Sequence, residues 1–232
     1  MGIWRSLSAA WDRVQLLVFR VGLRACDLIV LILRPRLLGT YLRLFWLEIR
    51  HSPYKWPRSF EATLARTQSG QGVRELVYGE TPVVTGIWLF RRAGVDERSK
   101  LVDLGAGRGR ALIAARWLGA QARGVELLAE HVRLVSGPLG RAGIALEAGD
   151  GADADLSDAT HVYLTWTGLN QLTRDRFVER LETCQPGTRV IAVDAPVEHD
   201  SFTTLSRHDL LFPWGSLPVW IHERDRSSSA PV

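Results

Sequence analysis

Between Leu101 and Glu223, short apolar runs alternate with stretches whose apolar residues return at helical spacing. The runs 101–104, 122–126, 144–148, 160–165 and 188–194 have the length and the small or branched apolar content of buried strands. The stretches 109–119, 128–140 and 172–183 carry the apolar density of helices packed on a sheet. Such alternation predicts an α/β fold with parallel strands, right-handed crossovers and helices on both faces. Two more runs, near 204–212 and 217–223, are linked through Phe212-Pro213-Trp214-Gly215 and predict a closing hairpin-like pair. The expected core is a seven-stranded mixed sheet.

The N-terminal part follows another pattern. From Val14 to Ile49 the chain is mostly Leu, Val, Ile, Phe and Trp, punctuated by arginines. On a helix, Arg13, Arg20, Arg24, Asp27 and Arg34 fall on one stripe roughly 80° wide, and the remaining circumference is apolar. Pro35 interrupts this helix, and beyond it Arg36, Thr40, Arg43 and Arg50 form a second narrow polar stripe. A wide apolar face edged by arginine suits an amphipathic helix lying in a membrane interface, with Tyr41, Phe45 and Trp46 at the boundary. Peripheral membrane association through residues 13–50 is therefore expected; packing on the rest of the chain, dimerisation, and true insertion or hairpin re-entry are the alternatives. A spanning helix needs about 20 residues nearly free of charge, and Arg20, Arg24 and Asp27 break every such run. The same arginines break the apolar core of a signal peptide.

A chain of 232 residues, 46% hydrophobic, suits one good core plus an appendage. The division expected is a helical segment over 1–66, a main domain over 67–226 and a frayed tail over 227–232, with a linker at Tyr54–Arg58 and a hinge at Ser69–Gly72. Residues 1–66 hold 11 Lys/Arg and 4 Asp/Glu, or +7, whereas the remainder carries 18 and 21, or −3, giving the total of +4. The basic character thus belongs to the appendage. Its arginines are embedded among large aliphatics instead of forming an open basic face, which argues against a nucleic-acid partner. Cys26 and Cys184 form neither a disulfide framework nor a zinc pattern, and none of the six histidines falls at metal-ligand spacing. A reducing, cytoplasmic compartment and no metal are expected.

The candidate chemistry lies in Leu101–Arg110, LVDLGAGRGR, where a strand ends in a loop carrying Gly105, Gly107 and Gly109 with Ala106 between. Glycine lets the backbone turn sharply and come close to a ligand, and the following helix points its positive end there. A dinucleotide site wants G-x-G-x-x-G, but here the third glycine comes one position early and Arg110 follows it. Asp103, two residues before Gly105, would repel a pyrophosphate yet pair with an ammonium. Glu126 ends the second strand, where acids accept ribose hydroxyls, and Asp150 closes the third near an adenine edge. Carboxylates at three successive strand ends suit S-adenosyl-L-methionine. The alternatives are a loop that only turns strand into helix, and a nicotinamide or flavin site.

With these motifs the chain resembles the class I, seven-strand methyltransferases, which implies a Rossmann-like fold. Val77-Tyr78-Gly79-Glu80-Thr81-Pro82 is similar to the V-Y-G-E-T segment of histone lysine methyltransferases of the disruptor-of-telomeric-silencing type. It also resembles a Tyr and Thr-Pro segment of archaeal and mitochondrial protein-lysine methyltransferases. The resemblance implies that Tyr78, Glu80 and Thr81 fold over the cofactor. It further implies that His161–Thr167 lines a methyl-transfer channel, nominating Tyr78, Thr165, Trp166 and Thr167 as catalytic, with Trp166 as an aromatic wall. Pro186–Ile191 resembles the loop and fifth strand of the family. The paired asparagines and aromatic that follow the fourth strand in the telomeric-silencing type are replaced by Trp166, Thr167 and Gly168.

The function expected from these readings is a methyltransferase, most simply a protein-lysine N-methyltransferase held at a membrane surface. One alternative is transfer to a lipid, quinone or other apolar small molecule. Another is an inactive cofactor-binding interaction module.

Overall fold

The computed structural model describes residues 2–51 and 79–226, with the backbone alone over 2–14 and at Leu16. The expected linker, hinge, tail and Tyr78 lie outside the described residues. Strands β1 (Lys100–Leu104), β2 (Gln121–Glu126), β3 (Ile144–Ala148), β4 (His161–Thr165), β5 (Arg189–Val193), β6 (Phe202–Phe212) and β7 (Gly215–Arg224) form one sheet in the order β3-β2-β1-β4-β5-β7-β6. All pairs are parallel except those of β7, which runs antiparallel to both β5 and β6. The order reverses between β1 and β4, so the carboxyl ends of β1, β2 and β4 open onto one crevice, where ligands bind in open α/β sheets.

Strand alternation assigns the core residues. Leu101, Tyr163, Ile191 and Val193 face one side, where they meet α3 (Val83–Arg92), α4 (Arg110–Trp117) and α5 (Ala129–Arg141). Val102, Leu104, Val162, Leu164, Val190 and Ala192 face the other, against Phe177 and Leu181 of α6 (Gln171–Leu181). Each predicted element is present to within a few residues. Helix α3 has no counterpart among the elements read from periodicity, because Val83-Val84-Thr85-Gly86-Ile87 is β-branched and carries a glycine. That glycine is there for packing: a Cβ at Gly86 would lie 2.7 Å from the Ala114 Cβ of α4.

The N-terminal pair is α1 (Gly2–Leu31) and α2 (Pro35–Arg50), with Pro35 in the first turn of α2, where its missing N–H costs nothing. Leu31, Leu37, Tyr41 and Leu44 join the core of the first face, so the pair is packed on the sheet domain. Arg24 and Asp27 of the polar stripe of α1 turn toward the sheet domain, whereas Arg20 and Arg34 are exposed. Asp27 is buried and accepts from the Tyr41 hydroxyl at 3.0 Å and from the Val84 N–H at 2.8 Å, while Arg20 donates to the Pro213 carbonyl at 2.9 Å. The apolar face turns outward instead: Leu17, Val18, Val21, Ile29, Ile32 and Leu33 of α1 and its end, and Leu42, Phe45, Trp46 and Ile49 of α2, are exposed. No helix among the described residues is long and apolar enough to cross a membrane.

Candidate functional site

The loop after β1 is shaped by its glycines. Gly105, Gly107 and Gly109 have φ of 82°, 54° and 79°, a left-handed region that other residues enter at a cost. Beside Gly105 the space is open, since a Cβ there would meet nothing within 4 Å. Gly124 on β2 serves the same loop from beneath: a Cβ at that position would sit 2.6 Å from the Ala106 Cβ.

Asp103, which pairs in register with Gly124 and Tyr163, is 3% exposed and lines the cleft over the loop. It has no hydrogen-bonding or ion-pairing partner among the described residues. Burial, with the Glu126 charge behind it, pushes its carboxyl up to about 8. A buried acid without a partner is costly to ionise, and a cation placed against it would recover that cost. Glu126 is held differently: its carboxylate accepts from the Gly107 N–H at 2.7 Å and the Leu128 N–H at 2.9 Å. Burial still raises its pKa against those two bonds. His131, whose Nδ1 is 4.0 Å from Glu126, is pushed down to about 3 by burial and by Arg108, so it stays neutral.

Glu80 and Thr81 line the same cleft, as do Gly79, Arg108, Arg110, Tyr163 and Thr165. Thr81 Oγ1 and the Tyr163 hydroxyl are 2.6 Å apart, tying the segment before α3 to β4. Burial raises the Tyr163 phenol, which remains protonated. The cleft has a volume of about 30 Å³, room for about one water. Behind it, a buried ion cluster joins the N-terminal helices to the loop. Glu80 pairs with Arg24 at 2.7 Å and Arg110 at 2.9 Å, and Glu48 pairs with Arg24 at 3.2 Å and Arg110 at 2.7 Å. The Arg110 guanidinium also stacks 4.6 Å from the centre of the Tyr41 ring. Burial and the neighbouring Glu48 push Glu80 up to about 7, against the arginines.

Asp150 lies past the end of β3, where its carboxylate caps the turn at Ala152 at 3.0 Å and pairs with Arg176 at 3.0 Å. Thr165 and Thr167 are joined by a 3.2 Å hydrogen bond at the end of β4, with Thr165 on the cleft. Trp166 does not form the expected aromatic wall. Strand alternation sends it to the opposite face, where it is 2% exposed in the second core, edge-on to Phe177 with ring centres 6.3 Å apart. Sequence reasoning missed four residues. Tyr163 lies inside the fourth-strand segment His161–Thr167, and its odd-number phase with Thr165 is the available signal. Arg24, Glu48 and Arg110 carried no signal of their pairing, because the contacts span 24 to 62 positions. Asp194, after β5, is the one non-glycine residue with positive φ, 82°, among the described residues.

No protein-family model and no curated protein matches the sequence. Solved structures do. An RNA methyltransferase from Salinibacter ruber, crystallised with S-adenosyl-L-homocysteine, is 27% identical with a TM-score of 0.55; the match covers 66% of this chain and 97% of that one. TrmN from Thermus thermophilus is 17% identical with a TM-score of 0.54, over 62% of this chain and 49% of TrmN, so this chain spans about half of that protein. A geranyl diphosphate C-methyltransferase from Streptomyces coelicolor, in complex with Mg2+, geranyl-S-thiolodiphosphate and S-adenosyl-L-homocysteine, is 14% identical with a TM-score of 0.51, over 62% of this chain and 76% of that one. With its strand order and these neighbours, the chain has the fold of the class I S-adenosylmethionine-dependent methyltransferases.

Proposed function

We propose that this protein is an S-adenosylmethionine-dependent methyltransferase that works at a membrane surface on an apolar acceptor. The observation that carries the cofactor reading is Asp103, a buried carboxyl without a partner among the described residues, lining the cleft over a glycine loop. The donor's ammonium is the cation that would satisfy it. In this reading Glu126 would accept the ribose hydroxyls, Asp150 would lie toward the adenine, and the N-terminal turn of α4 would face the donor's carboxylate. Bound there, the donor supplies a methyl group that passes in line to an acceptor lone pair as its bond to sulfur breaks. The chain's own task is to align the acceptor and exclude water. Thr81, Tyr163 and Thr165 wall that end of the cleft, and with Thr167 they are the residues we assign to the acceptor side. Because the cleft is so narrow, the Gly79–Thr81 segment must lift to admit the donor.

The outward apolar face of α1 and α2 supports the membrane part. An appendage that only packed on its own domain would turn that face inward; here Asp27 is buried and Arg24 half-buried, while the aliphatics are outside. Arg34, Arg36, Arg43 and Arg50 of the same helix pair are exposed as well, and their charge complements an anionic lipid surface. A lipid, a quinone or a similar apolar molecule is the acceptor such a surface would deliver.

Protein lysine is the second reading, favoured by the Val77–Pro82 resemblance. The S. ruber neighbour makes RNA the third substrate pool to include. The experiment is transfer of labelled methyl from S-adenosylmethionine to membranes, total protein and total RNA. We expect the label in the solvent-extractable lipid fraction. Label in protein hydrolysed to methyl-lysine, or in RNA, would replace the acceptor assignment; no transfer despite donor binding would leave a binding module. Vesicle sedimentation tests the membrane part separately.

A further inference from the structure

A second cleft lies where α1 passes into α2, against the C-terminal ends of α4 and α5, and it plays no part in the donor site. Its volume is about 550 Å³, within the range of small-molecule sites. Four arginines line it, Arg34, Arg36, Arg116 and Arg141, with Leu33 and Leu37 beside them. No carboxylate lines it among the described residues, and none of the four guanidiniums is ion-paired there. Like charges gathered around one cavity repel unless an anion sits among them.

Two of the four are held in place. Arg116 donates to the carbonyls of Ala142 at 3.2 Å, Gly119 at 3.2 Å and Ala120 at 3.3 Å. These are the carbonyls at the ends of α4 and α5 that would otherwise repel an anion, so Arg116 covers the negative helix ends as well as adding its charge. The Arg34 guanidinium lies 5.8 Å over the Trp117 ring. Arg36 and Arg141 are exposed and free to close on a ligand from the rim. Leu33 is 72% exposed at the mouth and continues into the outward apolar face through Ile32 and Ile29.

We infer that this cleft binds the phosphate of an anionic phospholipid headgroup, with the acyl chains lying along the exposed aliphatics of α1. Guanidinium groups grip phosphate oxygens through paired N–H donors, and the exposed Leu33 at the mouth suits the first methylenes of a lipid. The site would fix the orientation in which the helix pair meets the bilayer. This inference rests on the membrane reading above, and one lipid molecule tests it without a membrane.

The probe is dihexanoyl phosphatidylglycerol below its micelle-forming concentration, titrated into the full-length protein and followed by calorimetry. We expect one-to-one binding, weakened about tenfold or more when Arg36→Gln and Arg141→Gln are combined. The pair Arg92→Gln and Arg98→Gln, exposed and outside the cleft, should leave it within about twofold. Dihexanoyl phosphatidylcholine should bind more weakly, because its choline cation meets the arginines. Equal affinity for the two lipids, or equal loss in the two variant pairs, would overturn the assignment. Glycerol 3-phosphate binding as tightly as the lipid would transfer the site to soluble phosphate esters. Wild-type protein that sediments with vesicles but ignores the monomeric lipid would remove this site and leave the membrane reading standing.

Discussion

Replacing Asp103 by asparagine should make the donor-free protein more stable while removing its ability to hold the donor. The carboxyl is 3% exposed, and burial together with Glu126 pushes it from 3.8 up to about 8. Because the folded-state value lies above the unfolded one, the folded protein keeps a proton that the unfolded chain has released. Stability is therefore lost as pH rises from about 4 to about 8. A gap of about four pH decades, at about 1.4 kcal/mol per decade, sets a ceiling of about 6 kcal/mol. Relaxation and water penetration around a buried charge reduce such figures, and about 1–3 kcal/mol is the expected gain at alkaline pH. Asparagine keeps the shape and removes the charge. Urea unfolding at pH 5.5 and pH 8.5 should show an advantage of Asp103→Asn that grows with pH, and calorimetry should show S-adenosylhomocysteine binding weakened about 100-fold. A variant less stable than its parent at both pH values, or one that binds the ligand normally, would refute the reasoning.

The same carboxyl gives a pH signature in the unaltered protein: donor binding requires its ionised form, so affinity should rise about tenfold per pH unit up to about pH 8 and then level, which titration in buffers of different ionisation enthalpy will detect as proton release. Glu126→Gln exchanges the carboxylate that accepts from Gly107 and Leu128 and should weaken adenosine as well as S-adenosylhomocysteine by about tenfold or more; unchanged adenosine affinity would contradict the ribose assignment. Gly124→Ala drives a Cβ to 2.6 Å from Ala106 and 2.9 Å from Leu112, so thermal unfolding should report a loss of about 1–3 kcal/mol with weakened ligand binding. Arg24→Met removes one of the two arginines that pair with both Glu48 and Glu80; since Arg24 is 27% exposed, a destabilisation of about 1–2 kcal/mol is expected in urea, and none would show the cluster to be idle.

The strands and the loop were legible because each carries its own local signature. Buried parallel strands are continuous apolar runs, and Asp103, Gly105 and Gly107 are fixed by neighbours a few positions away. What escaped depends on contacts distant in sequence. The stripe of Arg20, Arg24 and Asp27 was visible on the helical wheel, but periodicity does not say which way a stripe faces. The inward turn of Arg24 and Asp27 follows from Glu48, Glu80 and Val84, which only the fold brings to them. Trp166 was assigned to the channel by its position after β4; the phase of the strand, which sets Tyr163 and Thr165 on the cleft and Trp166 behind it, decides otherwise. Helix α3 is not legible in the sequence because its β-branched residues and Gly86 weaken the helical pattern, and close packing on Ala114 outweighs their propensity.

The most direct test of the donor site is a crystal structure of the full chain grown with S-adenosylhomocysteine. The site predicts the ligand's amino group within hydrogen-bonding distance of Asp103, its ribose hydroxyls on Glu126, and the Gly79–Thr81 segment displaced outward around it. A ligand bound elsewhere, or one in this cleft with its amino group turned away from Asp103, would contradict the assignment.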